Sequence, residues 1–263
     1  MQSRHGSWAI NALQVTMGAP DVTLTDYGLA LECAICAAFL GLAPTYRKGL
    51  RNAAVCFFAF LGASAAAGGT VHGFYPDEQS PEGRLLWLMT LQLVGLAGFS
   101  AWILGASMLS SGRATRWLAF PSFVAVGCYS VVVLLITQEY WITMTVSLPA
   151  ALLLLFGFCH AFRRSRQLFL FLGASGLVLT FVAAFIQLTR VSIHPVYFDH
   201  NAFYHGVQAV AMALIFLGSR YLVGSARETD DLRQVCGYGV QPLALPVPLG
   251  RPARQPVILP PPT

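Results

Sequence analysis

The sequence predicts an all-α fold: a polytopic membrane bundle of seven transmembrane helices, with the N-terminus outside and the C-terminus cytoplasmic. Three observations predict it. Charged residues make up only 10% of the chain and hydrophobic ones 56%, whereas a soluble domain carries about 25% charged residues. Seven apolar stretches of roughly twenty residues match the hydrocarbon thickness of a bilayer. The short loops between them divide sharply by charge. Helices follow rather than strands, because a membrane barrel would show shorter segments of alternating polarity.

In chain order, the first apolar run covers 27–44, with Asp26 at its start and Glu32 nearly two turns deeper. A carboxylate at Glu32's depth must be protonated, paired or near water. The second run, 52–74, ends AAAGGTVHGF. Its Ser64, Gly68 and His72 share a face at four-residue steps, and small residues there let a neighbouring helix approach. Gln92 lies in the third run, 85–109; the fourth and fifth cover 117–137 and 142–162; Gln187 lies in the sixth, 168–188. Each glutamine can line a cavity or make one interhelical hydrogen bond. The seventh run, 201–223, is preceded by Asp199 and His200 and carries Asn201 and His205 in the stretch FDHNAFYHGVQ.

Orientation comes from the basic residues. Arg47, Lys48, Arg51, Arg113, Arg116, Arg163, Arg164 and Arg166 occupy the first, third and fifth loops, and Arg220, Arg227 and Arg233 follow on the same side. The opposite side has Arg4, Arg84 and Arg190 among seven acidic residues. The positive-inside rule makes the first side cytoplasmic. Trp87, Tyr75, Tyr140, Trp141 and Tyr197 mark one interface, and Tyr46, Trp117 and Tyr221 the other. The net charge of +5 is therefore a topology signal, and no basic stripe interleaved with aromatics points to nucleic acid.

Outside the bundle, residues 1–25 lack a signal-peptide apolar region and are expected to lie along the surface or stay disordered. From 224 to 263 the chain is expected to be a disordered cytoplasmic tail. Eight of the fifteen prolines fall there, blocking helix hydrogen bonds and favouring a polyproline conformation that a partner domain can read. Cys33, Cys36, Cys56, Cys128 and Cys159 sit in apolar runs as small hydrophobes, and Cys236 is a palmitoylation candidate. Cys33 and Cys36 have metal-like spacing without a second pair to complete a four-sulfur site.

Polar side chains collect on one side of the predicted membrane. His72, His200, His205, Asp26 and Glu32 all fall in the outer leaflet. Three imidazoles with a carboxylate or water suit zinc, whose bound water becomes hydroxide near neutral pH. Asp26 or Glu32 would orient a ligand or move a proton. Residues 200 and 205 are about 140° apart on a regular helix and share no face. His200 would then need a non-helical first turn, or Asn201 would replace it in the stripe Asn201, His205, Gln208, Met212. Asp199 is suited to be the N-cap. His194 and His160 read as loop and interface residues, and His5 belongs to the N-terminal segment. Hydrogen bonding of each histidine across helices, with no metal, is the alternative.

Seven helices, a late second-helix histidine and a histidine pair opening the seventh resemble the superfamily of alkaline ceramidases and progestin/adiponectin receptors. The resemblance implies a zinc ion on His72, His200 and His205 and hydrolysis of a lipid amide or ester. Gly68 stands where that family has serine, its last-helix histidines are four apart rather than five, and its catalytic aspartate has no clear counterpart. The phrases LTDYGLALE, GGTVHGF and HNAFYHGVQAVA also resemble an uncharacterised bacterial family of seven-helix membrane proteins, which implies the bacterial cytoplasmic membrane. The function classes left open are a zinc-dependent membrane hydrolase, a receptor or pH sensor, a haem protein using His72 and His205, and a small transporter.

Overall fold

The computed structural model describes residues 18–239 apart from 46, 76, 78, 79, 111 and 195–197, with side chains described as far as Gly224. Residues 1–17, the proline-rich stretch from 240, Tyr46, Glu78, Tyr197 and the side chains of Cys236, Arg227 and Arg233 lie outside the described residues.

The described residues form seven helices: α1 Pro20–Gly41, α2 Lys48–Phe74, α3 Pro81–Leu109, α4 Arg113–Leu135, α5 Tyr140–Ser165, α6 Leu168–Thr189 and α7 His200–Gly239. All seven are long and apolar enough to cross a membrane, α7 over His200–Gly224. The described residues form no strand. Among them, His194 and Phe198 form an antiparallel bridge just before α7.

Helix ends differ from the apolar windows where polar start signals precede the hydrocarbon. Pro20 occupies the first turn of α1 and Asp21 follows it, a residue pair that starts a helix whatever its hydropathy. Asp26 therefore lies nearly two turns inside α1 rather than at its start. At α3, Ser80 caps the helix by accepting from Gly83 N, with Pro81 next. Asp199 caps α7: its Oδ1 accepts from Ala202 N at 2.9 Å. The helix α7 is described as far as Gly239, and the prolines of the tail follow from Pro242.

Glycines decide which helices touch. A methyl group on Gly62, Gly69 or Gly73 of α2 would meet Cys33, Asp26 or Thr23 of α1 at 3.0, 2.8 and 2.8 Å. On the α3 side, Ser64 Oγ donates to Thr90 O at 3.1 Å. Thus α2 carries two small faces, and the closest approach follows Gly69 and Gly73 rather than Gly68. Gly105 of α3 lies against the backbone of Leu154 in α5, and Gly176 of α6 against Ala211 O in α7. Close backbone approach at small residues is the usual packing device in lipid, where helix association gains little from the hydrophobic effect.

The contacts close a ring in the order α1, α2, α3, α5, α6, α7, with α7 returning to α1 through His205 and Asp26. Phe58 of α2 meets Phe216 of α7 edge-on across the interior, their ring centroids 6.2 Å apart. Outside the ring, α4 leans on α3. Tyr129 donates to Leu91 O and Ser130 to Gln92 Oε1, each at 2.8 Å. Gln92 thus makes the interhelical hydrogen bond that was one of its two expected roles.

Candidate functional site

On the side of the bundle where α1 begins, the ring encloses a cavity of about 140 Å³. Every ring helix contributes a polar side chain: Asp26 from α1, His72 from α2, Thr90 from α3, Tyr140 from α5, Gln187 from α6, and Asn201, Tyr204, His205 and Gln208 from α7. The α7 set follows its 3.6-residue period, so the stripe of Asn201, His205 and Gln208 faces inward as a unit.

At the centre, His205 Nε2 lies 3.2 Å from Asp26 Oδ1. Asp26 is 3% exposed, so the contact is buried within the bundle. His205 Nδ1 lies 3.4 Å from Thr25 Oγ1. The single hydroxyl proton of Thr25 is directed at carbonyls of its own helix, Asp21 O and Val22 O, both at 2.9 Å. Thr25 is therefore placed to accept the Nδ1 proton, a tautomer inferred from the network. The Nε2 to Oδ1 contact then needs one further proton, either on the imidazole or on the carboxyl. In both forms the pair is electrically neutral as a whole, the arrangement in which an acid and a base share a dry site at least cost.

A second chain of hydrogen bonds fixes the α6 side. Asp199 Oδ1 accepts the cap bond while its Oδ2 accepts from Asn201 Nδ2 at 3.4 Å. Asn201 must then present its oxygen to Gln187, whose Nε2 donates at 2.7 Å. That order leaves Gln187 Oε1 as an acceptor without a hydrogen-bond partner, buried beside the cavity, and Asp26 Oδ2 is another. Gln187 accordingly fills both roles open to it, interhelical bond and cavity wall.

The sequence candidates divide. His72, His205 and Asp26 line one cavity, although they come from three helices. His200 opens α7 half-buried and does not line it, in keeping with the 140° offset from His205; Asn201 takes the place beside it. Glu32 is also half-buried and off the cavity, about 120° around α1 from Asp26. Among the described residues no three His, Cys, Asp or Glu side chains gather closely enough to hold a metal ion. Cys33 and Cys36 are free thiols in the core.

Two further cavities adjoin this one. Toward the α1-start side a polar vestibule of about 800 Å³ shares His72, Trp87 and Tyr140 with it. His72 packs edge-on against Trp87, with centroids 6.3 Å apart. Deeper in the bundle an apolar cavity of about 170 Å³ shares Leu61, Val94, Tyr140, Tyr204 and Gln208 with it. Tyr140 lines all three, its hydroxyl 3.2 Å from that of Tyr204. The apolar cavity continues between α5 and α6 past Met144, Ser147 and Thr180 and reaches Leu148, which is 46% exposed on the lipid-facing surface. The sequence reading missed Tyr140 and Tyr204. Tyr140 looked like an interfacial anchor, and only its position on the α7 stripe's neighbouring face could have marked Tyr204.

The chain belongs to a family of unknown function, DUF6962, which matches residues 22–223 and so reaches from the first turn of the first span to the last turn of the seventh. The match links it to neither the alkaline ceramidases nor the progestin/adiponectin receptors. No curated protein and no solved structure matches the chain.

Proposed function

We propose that this integral membrane protein is a receptor for a small amphiphile that enters from the bilayer and is held by its polar head at Asp26 and His205. One observation carries this reading: a polar cavity and an apolar cavity share a wall at Tyr140, Tyr204 and Gln208, and the apolar one reaches the lipid-facing surface at Leu148. An apolar pocket with a few converging polar groups is the general form of a small-molecule site. The vestibule above His72 gives the head group contact with water on the outward side that the loop charges assign.

Ligand binding would act on the helix contact it touches. His205 of α7 meets Asp26 and Thr25 of α1, and Asp199 N donates to Asp21 Oδ2 beside them, so a head group that engages Asp26 changes part of the contact that closes the ring. The test is photo-crosslinking in lipid nanodiscs with a single-chain amphiphile bearing a diazirine near its tail. Labelling of Met144, Ser147 or Thr180 that a tryptophan at Ala184 abolishes is the expected result. Labelling confined to α4, which lies outside the ring, overturns the proposal.

A zinc-dependent hydrolase of lipid amides or esters is the second reading, and the 3.2 Å separation of His205 Nε2 and Asp26 Oδ1 favours it. Two ligands of one tetrahedral ion at about 2.0 Å stand roughly this far apart. His72 would be the third ligand in place of the expected His200, with zinc supplying a water activated near neutral pH. Among the described residues no three ligating side chains gather. Elemental analysis of the purified chain decides it: one zinc per chain, lost in both His72→Ala and His205→Ala, supports the hydrolase, and a folded zinc-free chain removes it.

A further inference from the structure

Resting on the amphiphile reading, the structure assigns a chemical class to the head group: we infer that it is a protonated primary amine. The argument begins with acceptors. Asp26 Oδ2 and Gln187 Oε1 are buried and without a hydrogen-bond partner, and both residues line the polar cavity. Gln187 Oε1 cannot be turned into a donor by renaming atoms, and Asp26 Oδ2 is an acceptor in the ionised carboxylate. Asp26 already meets the imidazole through Oδ1, and both its oxygens accept whenever it is ionised. Gln187 is held in its orientation by Asn201, which is held in turn by the cap carboxylate of Asp199. The Gln208 side chain, 5% exposed, stands beside them with its own unpartnered oxygen.

A buried acceptor calls for a donor, and several acceptors around one small space call for a donor-rich group. A primary ammonium offers three N–H donors and one positive charge. The charge also fits the proton count of the dyad. When an ammonium reaches Asp26, the carboxylate is ionised and the proton it shared with His205 leaves through the vestibule, so carboxylate, neutral imidazole and ammonium together carry no net charge. No second anion is needed in a low-dielectric site. Trp87, Tyr140 and Tyr204 also line the cavity, and aromatic rings suit a cation. A carboxylate head would instead face Asp26 with like charge, and an alcohol would bring a single donor to the set.

The test compares hexylamine, hexanol and hexanoate, which share one chain and differ in the head. Binding to the full chain in phosphatidylcholine nanodiscs is read by calorimetry. Hexylamine should bind about tenfold or more tighter than hexanol, since a charge-assisted hydrogen bond in a buried site is worth at least that ratio. Asp26→Asn should erase the preference, bringing hexylamine to within about twofold of hexanol in the same variant. Should that variant not fold, Gln187→Leu serves: it leaves the His205–Asp26 contact in place and should weaken hexylamine alone. Equal or tighter binding of hexanol or hexanoate overturns the amine while the amphiphile reading stands. Failure of all three to bind overturns both. Zinc in the wild-type chain that hexylamine does not displace also overturns the amine.

Discussion

Two helices of this bundle, α2 and α4, are both apolar enough to span a membrane, yet they sit in opposite surroundings. Half of the α2 window is buried, against 17% for α4. The difference lies in small residues. Gly62, Gly69 and Gly73 let α2 press against α1, and Ser64 ties it to α3. On α4, Gly127 has nothing within 4 Å of the position a methyl group would take, and Trp117, Phe120 and Phe123 point outward at 63–73% exposure. Hydropathy marks both helices as spans, but only the distribution of glycine and hydroxyl groups distinguishes a helix that builds the interior from one that leans on it.

That comparison can be broken by substitution, beginning where the backbone has no room. Gly176→Ala should cost most, about 3 kcal/mol, because its new methyl would stand 2.7 Å from Ala211 O, a backbone atom that cannot rotate away. Thermal unfolding in nanodiscs should show the loss, and an unchanged midpoint would mean that α6 and α7 are not packed this closely. Gly69→Ala should follow at about 1–3 kcal/mol, since Asp26 Cβ lies 2.8 Å away. It should also disturb the amphiphile site, because Asp26 must move. A stability loss with hexylamine binding untouched would separate the α1–α2 packing from the site.

Smaller effects test the α4 side. Tyr129→Phe removes the hydroxyl that meets both Leu91 O and Thr143 Oγ1 at 2.8 Å and should cost about 1 kcal/mol, a usual value for a hydrogen bond between membrane helices. Head-group binding should be unchanged, since Tyr129 lines none of the three cavities. At the bottom of the scale, Gly127→Ala should leave stability unchanged or raise it by about 1 kcal/mol, as an unhindered helical glycine allows. A clear loss there would show that α4 has a packed neighbour on its outward face.

Much of the site could be read from single helices. The stripe of Asn201, His205 and Gln208 followed from the helical period, as did the exclusion of His200 from His205's face. Asp199 could be named as a cap from its type and place. What a single helix cannot express is a partner. Thr25, which receives the His205 ring, is an ordinary polar residue near a helix start until α7 is set beside α1. Glu32 seemed as strong a candidate as Asp26, because depth in the membrane was legible and direction around α1 relative to its neighbours was not. The start of α1 was misplaced for a related reason: hydropathy measures where hydrocarbon begins, and the helix begins earlier, at Pro20.

By itself, the sequence determined the class of the molecule, its seven spans and the end of the bundle at which its polar groups collect. These depend on residue type and order, since each span must satisfy its own backbone in lipid. Only the tertiary structure decided that α4 stands outside the ring, that His205 meets Asp26, and that a polar and an apolar cavity share Tyr140. Those facts depend on which helix lies beside which. In lipid that order is settled by the fit of small surfaces and a few interhelical hydrogen bonds, and no single stretch of chain contains both halves of such a contact.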